Sequence, residues 1–116
     1  MQKYKVGAYL RLSKEEFSNE KESNSITNQK LIIDNYLDKN KEYKLVDYYI
    51  DDGYSGTNFN RPEFQRMLED IKNKKIDVII IKDLSRLGRN YIETGYFIEV
   101  IFPGMGVSVI SVDENC

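Results

Sequence analysis

Ile76-Asp77-Val78-Ile79-Ile80-Ile81 runs straight into Lys82-Asp83-Leu84-Ser85-Arg86-Leu87-Gly88-Arg89-Asn90. Side chains alternate between the two faces of a strand, and this run is apolar on both. A strand buried on both faces belongs in the middle of a parallel sheet, with helices above and below it. Downstream, Asn90 and Glu93 form a helix-start pattern, and the spacing predicts a helix from Tyr91 to Phe102, stopped by Pro103 and Gly104. Val107 to Val112 then reads as a last strand.

Upstream the same alternation repeats. Lys3 to Leu10 reads as a first strand, and Leu12 to Asn24 as a polar loop. Ser25 starts a helix to about Lys41 with an apolar stripe at Ile26, Ile33, Tyr36 and Leu37. Lys44 to Ile50 is a second strand, and Asp51 to Asn60 a loop dense in turn formers. Asn60, Pro62 and Glu63 predict a capped helix whose buried stripe is Phe64, Met67, Leu68 and Ile71. The order β-α-β-α-β-α-β with short loops predicts an α/β fold, a mostly parallel central sheet flanked by helices, in one domain over residues 1–116.

Composition narrows the chemistry. The chain has 116 residues, 41% apolar and 31% charged, with a single cysteine, Cys116, so no disulfide closes within it and a reducing, cytoplasmic setting is expected. No apolar run approaches the ~20 residues of a membrane span. With no histidine, a Ser-His-Asp triad and histidine metal ligands are excluded. A net charge of −2 gives no bulk attraction to nucleic acid, so a phosphate site has to be local. The five arginines are Arg11, Arg61, Arg66, Arg86 and Arg89. All but Arg66 fall at element boundaries, where a planar fork can grip phosphate oxygens.

In a parallel α/β sheet, ligands bind beyond the carboxyl ends of the strands, where the strand order reverses. Tyr9-Leu10-Arg11-Leu12-Ser13 leaves the first strand with an arginine and a hydroxyl two residues apart. If the first and third strands are neighbours, Arg11, Ser13, Arg61, Arg86 and Arg89 converge on one side. Gln29 lies on the first turns of the helix that Ser25 starts. Taken singly, Ser13 reads as a turn residue, Gln29 as a solvated helix residue and Gly53-Tyr54-Ser55-Gly56 as a turn without the Gly-Lys-Ser/Thr ending of a nucleotide loop. The order and spacing of the whole set carry the signal.

That set resembles the catalytic domain of serine recombinases, the resolvase/invertase superfamily, and in particular the large serine recombinases of phage integrases and mobile-element transposases. Tyr9-Leu-Arg-Leu-Ser13 is similar to the family's nucleophile motif, and Ser25-Ile-Thr-Asn-Gln29 to the motif that carries a site glutamine. Asp51-Asp-Gly-Tyr-Ser-Gly-Thr-Asn-Phe-Asn-Arg61-Pro62 is similar to the large-recombinase loop, and Ser85-Arg86-Leu-Gly-Arg89 to the arginine motif after the third strand. The resemblance implies a resolvase-like catalytic domain with Ser13 as nucleophile and Arg11, Gln29, Arg61, Arg86 and Arg89 as site residues. It implies a site-specific recombinase that cuts and rejoins DNA through a 5′-phosphoserine, as a dimer or tetramer, without metal, ATP or other cofactor, in integration or excision of a bacterial or phage-borne element. It also implies a fragment: the family's oligomerisation helix and DNA-binding domains are not in this sequence. The motif departs at one point. Many relatives carry aspartate just before the first arginine, where this chain has Ser85, with Asp83 two residues earlier; the roles of both stay open. The base that activates Ser13 also stays open. Two other readings remain: a flavodoxin-like or receiver-type module with Asp51 and Asp52 as an acidic pocket and Lys82 as its partner, and an inactive scaffold or dimerisation piece.

Overall fold

The computed structural model describes residues 3–12, 25–53, 60–88 and 90–113. Four strands form one parallel sheet in the order β2-β1-β3-β4, with β1 at Tyr4–Leu12, β2 at Tyr43–Asp52, β3 at Val78–Ile81 and β4 at Ser108–Ser111. Chain order moves outward from β1 to β2, then crosses back past β1 to β3 and β4. Right-handed crossovers therefore place the first helix on one face and the later ones on the other.

The core divides accordingly. Val6, Ala8 and Leu10 of β1 pack with Val78, Ile80 and Ile33 under α1 (Ile26–Lys39). Tyr9, Ile79 and Ile81 point the other way, to Phe64, Met67 and Ile71 of α2 (Pro62–Lys72) and to Phe102. Val78–Ile81 is buried at every position, as its two-sided apolar pattern predicts. Gly7 sits in a tight spot: a Cβ there would stand 2.7 Å from Ile76 Cδ1 and 3.0 Å from Tyr49 Cε2, so those side chains would have to shift.

Beyond β3, α3 is the single turn Leu84–Leu87. The next helical run is α4 (Tyr91–Tyr96), a π-helical turn at Phe97–Ile101 and a last turn, α5, at Phe102–Gly104. Asn90 caps this run as expected, accepting from the Ile92 and Glu93 N–H groups.

Three expectations are corrected. Strand β1 extends two residues beyond its apolar stretch, because Arg11 and Leu12 pair in register with Asp51 and Asp52. Asn60 does not cap α2: the N-cap position is Arg61, and the Glu63 and Phe64 N–H groups donate to Asp51 from the end of β2, both at 3.0 Å. Glu63 turns instead to Arg66. Pro103 does not stop the third helical run either. It lies in the last turn, after the π turn has moved the Phe102 N–H bond to the Phe97 carbonyl. No helix is long and apolar enough to cross a membrane among the described residues.

Candidate active site

Strands β1 and β3 are neighbours, and their connections leave in opposite directions along the sheet. Their carboxyl ends thus form the crevice in which parallel α/β sheets place their ligands. Arg11 stands at one lip, on β1, and the turn Lys82–Gly88 forms the other.

Three arginines from three separate segments meet there. Arg11 donates from Nε to the Arg86 carbonyl (3.0 Å) and from a terminal nitrogen to the Ser85 carbonyl (2.5 Å). Arg86 returns a bond to the Arg11 carbonyl (2.6 Å). Arg61 reaches the Leu87 carbonyl at 2.5 Å and the Arg86 carbonyl at 3.3 Å. Arg11, Arg61 and Arg86 are only 0%, 1% and 4% exposed. A carbonyl oxygen holds a guanidinium in place without cancelling its charge; Arg86 also has the Asp83 carboxylate 3.6 Å from its Nε.

Gln29 joins the same point. It is buried on α1, and its side-chain amide donates to the Arg11 carbonyl at 3.1 Å. Its helix is started by Ser25, whose hydroxyl accepts from the Asn28 N–H. The carbonyl of Arg11 is therefore clamped from two elements, two residues before Ser13. Ser13 and Arg89 lie outside the described residues, as do most of the two loops read at Leu12–Asn24 and Asp51–Asn60. Arg66 stays out of the cluster, on the solvent side of α2.

Sequence reading missed the residues that support this cluster. Tyr9, buried on the same face of β1 as Arg11, accepts a bond from Arg61 (2.8 Å) and donates one to Asp51 (2.8 Å). Burial pushes the Tyr9 phenol well above its ordinary value, and the Asp51 carboxylate adds to that, against the opposing pull of Arg61. Burial lowers the Arg61 guanidinium, while Tyr9 and Asp51 work in the opposite direction. The Arg61 guanidinium also lies over the Phe64 ring, 5.0 Å from its centroid. The signal available for Tyr9 was period two from Arg11, and for Asp51 its place at the end of a strand. Asp51 is committed to Tyr9 and the start of α2. Lys82 pairs with Asp83 and Asp113. The acidic pocket of the receiver-type reading is thus not assembled around Asp51 and Lys82.

Residues 6–116 match the family model described as resolvase, N-terminal domain. Among solved structures, the N-terminal catalytic domain of TP901-1 integrase superposes with a TM-score of 0.83 at 31% identity, over 95% of this chain and 78% of that one. A resolvase family site-specific recombinase from Streptococcus pneumoniae gives 0.78 at 30% identity, over 98% of this chain and 75% of that one. The C-terminal catalytic domain of ISC1926 TnpA, an IS607-like serine recombinase, gives 0.73 at 27% identity, over 93% and 67%. No curated protein matches the chain.

Proposed function

This chain belongs to the resolvase family of serine recombinases, and from that premise we propose that it is the catalytic domain of a site-specific recombinase acting on DNA through a covalent bond to Ser13. The hydroxyl oxygen of Ser13 attacks the scissile phosphorus. The bond to the 3′-oxygen breaks, leaving a 5′-phosphoserine and a free 3′-hydroxyl, with the serine proton transferred in net to that oxygen. Attack by a 3′-hydroxyl in the reverse direction rejoins the strand. The phosphoryl transition state spreads negative charge over its oxygens, and fixed cations lower its energy most when they need not reorganise. Arg11, Arg61, Arg86 and Arg89 take that part, and Gln29 fixes the strand end that carries Ser13. In a longer chain with oligomerisation and DNA-binding segments, paired subunits would cut and exchange strands for integration or excision of a mobile element.

The observation that supports this reading is the meeting of Arg11, Arg61 and Arg86 at the carboxyl end of β1. A scaffold would have no use for three buried cations at one strand end, each of which costs desolvation. The test is to trap the protein on DNA with a nicked or suicide substrate, using a longer chain that contains this domain. The expected result is a covalent adduct that maps to Ser13 and vanishes in Ser13→Ala, with folding nearly unchanged. An adduct that persists in the alanine variant, or that maps elsewhere, overturns the assignment.

A further inference from the structure

Asp83 lies where β3 gives way to α3, and its carboxylate is shared among four groups. One oxygen accepts from the Ser85 N–H at 3.0 Å and from the Ser85 hydroxyl, and stands 3.6 Å from Arg86 Nε. The other is 3.2 Å from the Lys82 ammonium, which is held in turn by Asp113 at 3.0 Å. The Ser85 hydroxyl that donates to Asp83 also accepts from the terminal nitrogen NH2 of Arg86, at 3.0 Å. The carboxylate therefore reaches the Arg86 guanidinium twice, once through space at Nε and once through a serine at NH2. The remaining terminal nitrogen, NH1, is the one bonded to the Arg11 carbonyl.

We propose that Asp83 is the positioning residue of Arg86, with the Ser85 hydroxyl as its intermediary. A guanidinium is a flat fork, so fixing two of its nitrogens fixes the direction of the third. Asp83 and Ser85 set the plane, NH1 takes the Arg11 carbonyl, and the strand end leading to Ser13 is thereby placed. Burial alone would raise the Asp83 carboxyl, but the Ser85 hydroxyl, Arg86 and Lys82 outweigh it and hold the group below its ordinary value, so it is charged at neutral pH. Asp83 touches no reacting atom; it acts through Arg86. Lys82 and Asp113 keep the carboxylate from swinging away.

The inference rests on the phosphoserine reading, and the test separates the two. Adduct formation is followed at saturating DNA, with DNA affinity and the unfolding midpoint measured in parallel. Asp83→Asn keeps the helix cap, since asparagine caps as well as aspartate, and removes the charge, with an amide nitrogen in place of the oxygen that faces Lys82. It is expected to slow adduct formation about tenfold at unchanged DNA affinity, since the charge that orients Arg86 is gone. The unfolding midpoint falls because Lys82 and Arg86 lose their charged partner, so the rate is assayed well below it. Ser85→Ala leaves both the cap and the Nε contact and should slow the step about threefold. The double variant should be no slower than Asp83→Asn alone, because both act along one path. Adding Ser85→Asp to Asp83→Asn puts a carboxylate beside NH2 and should restore most of the rate. Asp83→Asn at the parental rate, additive losses in the double variant, or a rate that follows the unfolding midpoint across the variants would each overturn the proposal. If Asp83→Asn does not fold, Ser85→Ala at the parental rate overturns it instead. No Ser13 adduct in the unmutated chain would overturn the phosphoserine reading itself.

Discussion

Arg61 and Arg66 lie five residues apart in the sequence and in opposite worlds. Arg66, 40% exposed on α2, meets carboxylates: Glu63 at 2.8 Å, Asp47 at 2.9 Å and Asp70 at 3.8 Å. Arg61, 1% exposed at the N-cap of the same helix, meets backbone carbonyls, a phenol and an aromatic face. Three acidic neighbours spend the charge of Arg66 on the surface. Arg61, like Arg11, is oriented by oxygens that leave its charge in place, whereas Arg86 also has the Asp83 carboxylate 3.6 Å from its Nε. The difference teaches how an acidic protein with net charge −2 can still gather guanidiniums at one strand end. It buries three guanidiniums and fixes them mostly with neutral acceptors, with Asp51 held one contact from Arg61 through Tyr9 and Asp83 standing 3.6 Å from Arg86 Nε.

The largest effect should come from Arg61→Met, which keeps most of the volume and removes the charge. The Leu87 carbonyl and the Tyr9 hydroxyl lose a buried donor, and Asp51 loses its nearby cation. Stripping one partner from a buried charged network costs about 3 kcal/mol. Urea unfolding should show a loss of that size, and the longer chain should lose adduct formation. A cost below about 1 kcal/mol would mean that the buried fork is not held by these acceptors.

A smaller loss, about 1–2 kcal/mol, is expected for Tyr9→Phe, which deletes one hydroxyl between Arg61 and Asp51. The same residue makes a pH prediction. Its phenol is raised above the ordinary 10.0 by burial first, so the folded state keeps a proton that the unfolded chain gives up near that value. Tyr48 and Tyr49 are raised too, by burial and by bonds to Asp34 and Asp70. Stability from these phenols is complete below pH 10 and is lost as pH climbs above it. The urea midpoint should fall steadily above pH 10, with a shallower slope in Tyr9→Phe. An identical slope would place the alkaline sensitivity elsewhere.

The fold was legible where chemistry is local. Apolar runs at Val6–Leu10 and Val78–Ile81 mark strands because burial on both faces leaves no other pattern. Asn90 marks a helix start because its own side chain accepts from the Ile92 and Glu93 N–H groups of the first turn. What escaped was non-local. The start of α2 is capped by Asp51, twelve and thirteen residues back on another element, and no spacing rule reaches that far. The end of β1 passes through Arg11 and Leu12 because Asp51 and Asp52 pair with them, which hydropathy cannot register. The arginines of the site stood out by their rarity beside lysine and by their places at element boundaries. Their acceptors did not, because backbone carbonyls have no letter in a sequence.

The smallest effect should come from Arg66→Ala. A partly exposed ion pair contributes at most about 1 kcal/mol, because water screens it and the long side chain loses freedom in forming it. Arg66 also lies over the Tyr49 ring, 4.2 Å from its centroid, a contact worth about 0.5–1 kcal/mol when exposed. Its removal leaves Glu63, Asp47 and Asp70 facing one another, so part of the cost is carboxylate repulsion. That part fades with salt: at 1 M the Debye length is about 3 Å, and the variant should close most of its gap to the parent protein. Arg61→Met should show no such recovery, since its contacts are buried beyond the reach of mobile ions. Adduct formation should be unchanged by Arg66→Ala, because Arg66 is tied up on the outer side of α2. If this variant lost as much stability as Arg61→Met and kept that loss at high salt, burial would not be what separates the two arginines.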